Sequence, residues 1–446
     1  MKRILIIAFV LTTAGAFAQT PPAPQPQPMP VPPLPLTIAS AIRMALSEGT
    51  QARLARTGEE RARIAQREAL DAMLPQANAY LMRYNQSLNL ETFGFSLPGF
   101  PPVVGPFNVT DAQVTAAMQL FNLAALRAYQ ARKTGLNASA YDVERAENDV
   151  AAAVARLYVL VARAEAQVNA RTADVKLFTE LARVANDEFK AGTGTRLDVA
   201  QANVQLSRAQ QSLLSARNDR ETARLALLNA IGADEGSDVI LTDALNAPST
   251  VPDTAAAIAA ARQRRPDLKA LDLQERAAQL LVDAQRDRRL PSVSLDFVGD
   301  YSGNRTTDLL WSRRIAAMAT VPIFRGDINS AIARAKADLE DARTRHHAAE
   351  RDVEQEVRSS LLTVQNANAR VAVAAENVKV AEDALQIARD RRGAGYGSPV
   401  EVDRAEDSYR QAHEDLIAAQ ADASMAWYSF QHATGDIRSL FGEPGK

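Results

Sequence analysis

The sequence predicts a mainly α-helical fold carrying two strand pairs, arranged as two tandem copies of one unit. Three observations predict it. Two alanine-rich, proline-free stretches (122–190 and 325–393) are each long enough for a helix of about 100 Å at 1.5 Å per residue. Ahead of each stretch lie segments in which apolar and polar residues alternate, the pattern of a strand with two unlike faces. The second half of the chain also repeats the first.

The repeat is read from residues in phase. Residues 121–232 align with 324–435 at a constant offset and without a gap. The matches include Val150 with Val353, Val154 with Val357, Val161 with Val364, Val168 with Val371 and Val175 with Val378. Gly192, Gly194 and Gly232 match Gly395, Gly397 and Gly435. Alanine matches arise by chance in such a chain, but valines and glycines held in step do not. Upstream the offset is larger: Ala41, Ile42, Glu59 and Leu74-Pro75 match Ala257, Ile258, Glu275 and Leu290-Pro291. The extra residues of the first copy fall in 93–108, rich in Gly, Pro and Phe, which reads as a longer loop.

Residues 1–18 read as a secretory signal: Lys2 and Arg3, an apolar run over 4–11, then Ala16-Phe17-Ala18 as a small-x-small cleavage site. The run is too short to span a bilayer. Residues 19–35 are proline-dense and read as an extended linker. The first repeat is expected over 36–235, an inter-repeat linker over 236–250, the second repeat over 251–437 and a short tail over 438–446.

Within the first copy, 37–73 reads as helix, with Thr37 as N-cap and Pro75 as its stop. Residues 111–120 then alternate: Ala112, Val114, Ala116 and Met118 against Asp111, Gln113, Thr115 and Gln119. In the second copy Val293, Leu295 and Phe297 alternate with Ser294 and Asp296, and a further strand is expected over about 308–321. Each copy therefore supplies two strands, four per chain. The long helices follow. Val154, Val161, Val168 and Val175 form one heptad seam, and Val143, Val150, Leu157, Ala164 and Phe178 the other, interrupted by Arg171. Helices of this length need antiparallel partners, and glycine-rich turns at 191–195 and 394–399 supply the reversal. Thr195 and Ser398 are placed to cap the returning helices, which run to about 231 and 434.

Composition excludes several classes. Past residue 20 no apolar run reaches the roughly 18 residues of a membrane helix, so entry into a bilayer requires a closed β-barrel with every backbone group paired. Lys plus Arg (51) nearly balance Asp plus Glu (53), giving no electrostatic case for nucleic acid. The chain has no cysteine, so it carries neither disulfides nor a cysteine-linked lipid.

No catalytic or cofactor constellation is visible. The glycine turns lack the Gly-Lys-Ser/Thr of a phosphate loop, and no Gly-x-Ser-x-Gly elbow occurs. His346 and His347 are adjacent, so their rings are expected to diverge on a helix and to be solvated. His413 and His432 show no matching Cys or carboxylate set in the sequence. Tyr301 and Trp311 flank the second strand loop, where they fit either interfacial aromatics or ordinary packing.

From residue 36 to 435 this pattern resembles the TolC-like outer-membrane efflux proteins. The resemblance rests on the duplicated Gly-x-Gly-Thr/Ser-x-Leu/Val-Asp/Glu-Val turns at 192–199 and 395–402, and on the Leu-Pro before each first strand. It implies a homotrimer whose chains together close a twelve-stranded barrel in the outer membrane, continued by a helical tube across the periplasm. The chain would be the passive exit duct of a tripartite efflux or type I secretion system, powered by an inner-membrane pump. The resemblance also implies that the hairpin tips dock a periplasmic adaptor protein: Gly192, Gly194, Thr195, Leu197 and Asp198, with Gly395, Gly397, Ser398, Val400 and Glu401. It implies a periplasmic constriction at Glu401, Asp403 and Arg404, where Arg404 stands at a position that is acidic in the family. Asp198 and Glu401 also fit a plain helix-end role, each an anion in a first turn. The competing reading is a periplasmic coiled-coil adaptor or structural protein without a pore, which the four alternating segments and the duplication disfavour.

Overall fold

The structure, a computed structural model, describes residues 34–94, 98–99, 101–243 and 251–438. The expected signal, the linker up to residue 33, residues 244–250 of the inter-repeat linker and the tail beyond Arg438 lie outside the described residues.

One order of elements occurs twice. In the first copy, α1 (Ile38–Glu48) and α2 (Thr50–Asp71) lead to β2 (Gln76–Asn89), β3 (Val103–Phe121), α3 (Leu123–Lys190) and α4 (Arg196–Ile231). In the second, α5 (Thr254–Arg264), α6 (Pro266–Asp287), β5 (Ser292–Gly303), β6 (Leu310–Thr320), α7 (Gly326–Gly393) and α8 (Pro399–Ala433) follow in the same order. Two short strands, β1 (Leu34–Leu36) and β4 (Val239–Leu241), pair in parallel beside the first copy.

Several expected bounds change. The helix expected over 37–73 is two helices broken at Gly49, whose extended backbone caps α1 and starts α2. A Cβ there would lie 2.1 Å from the Ala45 carbonyl oxygen, so the close approach requires glycine. The second copy makes the same break at Arg265, extended ahead of Pro266, which opens α6. Thr37 does cap α1, and Ser40 reciprocates to close a capping box. The first helical segment ends at Asp71, ahead of Pro75. The loop expected over 93–108 is shorter, because β3 begins at Val103, well before the expected residue 111. Residues of β1 and β4 fall within stretches read as linker.

β1 and β4 are held by the core rather than by propensity. The Tyr158 hydroxyl of α3 donates to the Leu36 carbonyl (2.9 Å) and accepts from the Asp243 N–H (3.1 Å). The Asp243 carboxylate in turn accepts from the Ile38 N–H at 2.7 Å. Around this knot Leu36, Ile42, Val154, Val161, Leu228 and Ile231 are buried together. The second copy builds the equivalent core from Ala257, Ala261, Val353, Val357, Leu361, Val364 and Phe430. The heptad valines bury fully only in this half of each hairpin; Val168, Val175, Val371 and Val378 are half-buried.

The sheet has the order β2-β3-β5-β6, antiparallel throughout, with β2 and β6 as unpaired edges. Register fixes its two faces. Ala77, Ala116, Phe297 and Ile315 share one row, and Leu81, Ala112, Tyr301 and Trp311 another, on one largely apolar face whose intervening row, Ala79, Val114 and Gly299, ends on Arg313. Asn78, Thr115, Val298 and Arg314, then Tyr80, Gln113, Asp300 and Ser312, form rows of the opposite, largely polar face. Neither face is covered within one chain: Leu81 is 79% and Ile315 65% exposed on the first, and Tyr80 47% on the second. Thr110 still pairs with Gly303 at the end of β5, and beyond it the β2–β3 ribbon continues alone; Arg83 and Thr110, then Asn85 and Asn108, make the formerly apolar side polar.

Candidate functional site

The sites singled out in the sequence are the two hairpin tips and the constriction residues just behind the second. α3 ends at Lys190, and Gly192 turns the chain with φ 76°. The N–H groups of Thr193 and Gly194 both donate to the Glu188 carbonyl at 3.0 Å. Thr195 then caps α4. Its N–H and hydroxyl donate to the Asp198 carboxylate at 2.8 and 2.7 Å, and the Asp198 N–H donates back to the hydroxyl at 3.2 Å. These bonds to Thr195, the hydroxyl first and the N–H second, hold the Asp198 carboxyl below its ordinary pKa.

The second tip has the same backbone and a different cap. Gly395 has φ 80°, and the N–H groups of Tyr396 and Gly397 donate to the Arg391 carbonyl at 2.9 and 3.0 Å. A Cβ on Gly397 would come within 2.8 Å of the Arg392 backbone nitrogen. Ser398 accepts from the Glu401 N–H at 3.2 Å, but Glu401 does not close a box in return. Its carboxylate is exposed and makes no ion pair among the described residues, with Arg404 or any other cation. Asp403 and Arg404 are likewise exposed.

Each tip thus brings its own residues together, and each exposes apolar side chains. Leu197 is 65%, Val400 55% and Tyr396 83% exposed. No hydrogen bond or ion pair joins one tip to the other among the described residues. Tyr396 was absent from the expected set; its place between the two glycines of the turn was the available signal.

The histidines differ from expectation. His346 and His347 do not diverge: their rings lie parallel with centroids 6.0 Å apart, His346 reaching across to Glu275 of α6 (3.1 Å) and His347 along its own helix to Glu350 (3.2 Å). His413 stands edge-on to Tyr409 at 4.6 Å. His432 does have a carboxylate set, which sequence distance concealed. Its Nε2 lies 2.7 Å from Asp149 of α3 and its Nδ1 3.7 Å from Glu356 of α7. The bond to Asp149, then Glu356, raises His432 to about 9 against the opposing effect of burial. Glu356 falls to about 2 through His432 first and Arg265 second. A protonated imidazole offers no lone pair to a metal, and no His, Cys, Asp or Glu group among the described residues could hold one.

Arg171, the break in the second heptad seam, also has a structural answer. It reaches Glu414 of α8 at 2.6 Å and Asp174 at 3.3 Å, linking the hairpin of one repeat to that of the other. Tyr301 and Trp311 form a cross-strand pair at 4.8 Å on the apolar sheet face. The Trp311 ring lies over Gly299, where a Cβ would come within 2.2 Å of it.

No helix among the described residues is long and apolar enough to cross a membrane. The family model described as "Outer membrane efflux protein" matches residues 41–233 and 257–436. Outer membrane efflux protein BepC of Brucella suis is 27% identical over 274 residues, covering 59% of this chain and 58% of that protein. Protein CyaE of Bordetella pertussis is 28% identical over 272 residues, covering 53% of this chain and 56% of that one. The match thus spans less than three fifths of each of these relatives. Among solved structures, the CmeC outer membrane channel of Campylobacter jejuni superposes with a TM-score of 0.75 at 18% identity, covering 90% of this chain and 85% of that one, a likeness of fold.

Proposed function

The chain belongs to the outer membrane efflux protein family, whose place is the outer membrane, and on that premise we propose that it is a passive exit duct across the outer membrane and periplasm. The observation that carries this reading is the sheet. Its four strands have two unpaired edges and uncovered apolar and polar faces, which a single chain in water leaves unsatisfied. Three copies joined edge to edge make a closed twelve-stranded barrel, apolar outside and polar within. β5 and β6, at 12 and 11 residues, suit a tilted crossing of the hydrocarbon layer. The duct serves a tripartite efflux or type I secretion system, with a periplasmic adaptor and an inner-membrane pump as partners. Its repeats are 36–235 and 251–437. The family is one of transport proteins, and we read this member as a channel rather than an enzyme.

The tips are the adaptor-docking ends. Exposed Leu197 and Val400, each one residue from a first-turn acid, give the apolar anchor with polar rim typical of a docking surface. Glu401, Asp403 and Arg404 are the constriction, with the arginine offsetting part of the negative charge.

Planar-bilayer recording of the purified protein tests the duct. Discrete conductance steps are expected, with Glu401→Gln and Arg404→Glu shifting ion selectivity in opposite directions. A protein that inserts but never conducts would refute a duct. For docking, Leu197→Asp with Val400→Asp is expected to weaken adaptor capture at least tenfold while leaving conductance intact, read by co-purification from crosslinked cells.

A further inference from the structure

The long hairpins of the two repeats lie side by side along α3 and α8, and their contact is not uniform. His432 with Asp149, Arg163 with Asp422 (3.9 Å) and Arg171 with Glu414 join α3 to α8 at successive levels. On the tip side of Arg171 a cleft of about 470 Å³ opens among α3, α7 and α8. Its cause is legible in the seam. Arg171 occupies an apolar heptad position and is drawn away to Glu414 and Asp174, while Ala170 and Ala173 are too small to fill the gap. The volume is within the range of small-molecule sites.

The lining mixes apolar and acidic side chains. Leu177 and Phe178 of α3 face Leu385 of α7 and Tyr409 and Ile417 of α8. The edge-on contact of His413 fixes the Tyr409 ring. Five carboxylates line the cleft (Asp174, Glu382, Glu406, Asp407 and Glu414) against two arginines, Arg389 and Arg410. Both arginines are engaged, Arg389 with Glu406 at 3.0 Å and Arg410 with Asp407 at 2.6 Å. Arg171 answers Asp174 and Glu414 from the side. Glu382 is the lining carboxylate left without an ion pair among the described residues.

We propose that this cleft is a binding site for an amphipathic organic cation, whose flat apolar body packs against Leu177, Phe178 and Tyr409 and whose charge faces Glu382. Apolar surface meets apolar surface, and the uncompensated charge of the lining selects a cation over an anion. At 1.5 Å per residue the α3 side of the cleft lies about 20–30 Å from the first tip and its α7 side about 6–17 Å from the second, so an occupant sits in the helical wall a few turns behind the tips. The site is formed by one chain. It rests on the duct reading only for its use, as a place where an exported cation lingers.

Binding of ethidium, a planar aromatic cation, to the purified full chain in a non-ionic detergent is the test, read by fluorescence anisotropy. Saturable binding of one ethidium per chain is expected. Glu382→Gln is expected to weaken it about fivefold. Ala173→Leu, an exposed position whose larger side chain fills the cleft, is expected to abolish it. The anionic dye anilinonaphthalene sulfonate is expected not to compete. Circular dichroism and oligomer mass unchanged from the parent protein establish that the variants fold. Binding that is absent, not saturable, displaced by the anionic dye, or indifferent to both substitutions in folded protein overturns the proposal. Because the assay needs no conductance, its failure leaves the duct reading untouched, and a non-conducting protein that still binds ethidium leaves the cleft in place.

Discussion

His432 ties three long helices with one charge. Asp149, Glu356 and His432 come from α3, α7 and α8, and Arg265, between α5 and α6, completes the node through Glu356 and the Ala433 carbonyl. With its pKa raised from 6.5 to about 9, the imidazolium contributes stability that is complete below about pH 6.5 and is lost as pH rises through about 9. The gain is on the order of 2 kcal/mol. His432→Gln is therefore expected to lower the Tm of the detergent-solubilised protein at pH 6, with the gap to the parent narrowing by pH 10. An unchanged gap across that range would show that the charge does not hold the node. At the first tip, Thr195→Ala removes the cap hydroxyl and is expected to cost about 1 kcal/mol locally. That raises amide exchange over the first turn of α4 about fivefold without changing global unfolding. The Thr195 cap was legible from sequence, because a Thr followed three residues later by an acid defines it. The His432 node was not: its partners lie in different helices, and no local pattern brings residues 149, 356 and 432 together.

At the scale of elements, periodic features read well and contact-driven ones did not. The long helices and their turns carry period-specific patterns, and α3 and α7 begin and end within a residue of expectation, whereas β3 begins eight residues before its alternation was read and β2 was counted without a range of its own. The Gly49 break was missed because a glycine inside a helical pattern costs only about 1 kcal/mol and is often tolerated. Pro266 marks the matching break openly in the second copy, and the repeat would have carried it back. β1 and β4 are three residues each, below any useful period, and exist because Tyr158 and Asp243 pin them. In the sheet, Trp311 over Gly299 covers a position without a side chain on the apolar face. Gly299→Val forces that ring away and is expected to reduce the yield of membrane-inserted oligomer severalfold, measured by heat-modifiable migration on gels. Normal yield would mean that the aromatic pair does not organise the face.

At the scale of the whole molecule, the two ends of the chain's architecture make opposite demands. On the side nearer the sheet the helical hairpins bury their seams within one chain, against α1, α4, α5 and α8, whereas Leu214, Val373 and Val380 of the same long helices stay exposed. The sheet is left open: both of its edges are unpaired and its apolar rows stay exposed. That contrast was only partly legible in sequence. Alternation announced two-faced strands, but alternation alone does not say whether an apolar face meets a core or lipid. Mass measurement of the protein extracted from membranes in mild detergent tests this directly. The account predicts a trimer, three times the mass of one chain, that falls apart when a charge is placed in the exposed apolar band, as in Ile315→Asp. A monodisperse monomer, stable without detergent, would contradict it, because the sheet would then be complete in one chain and no barrel would be needed.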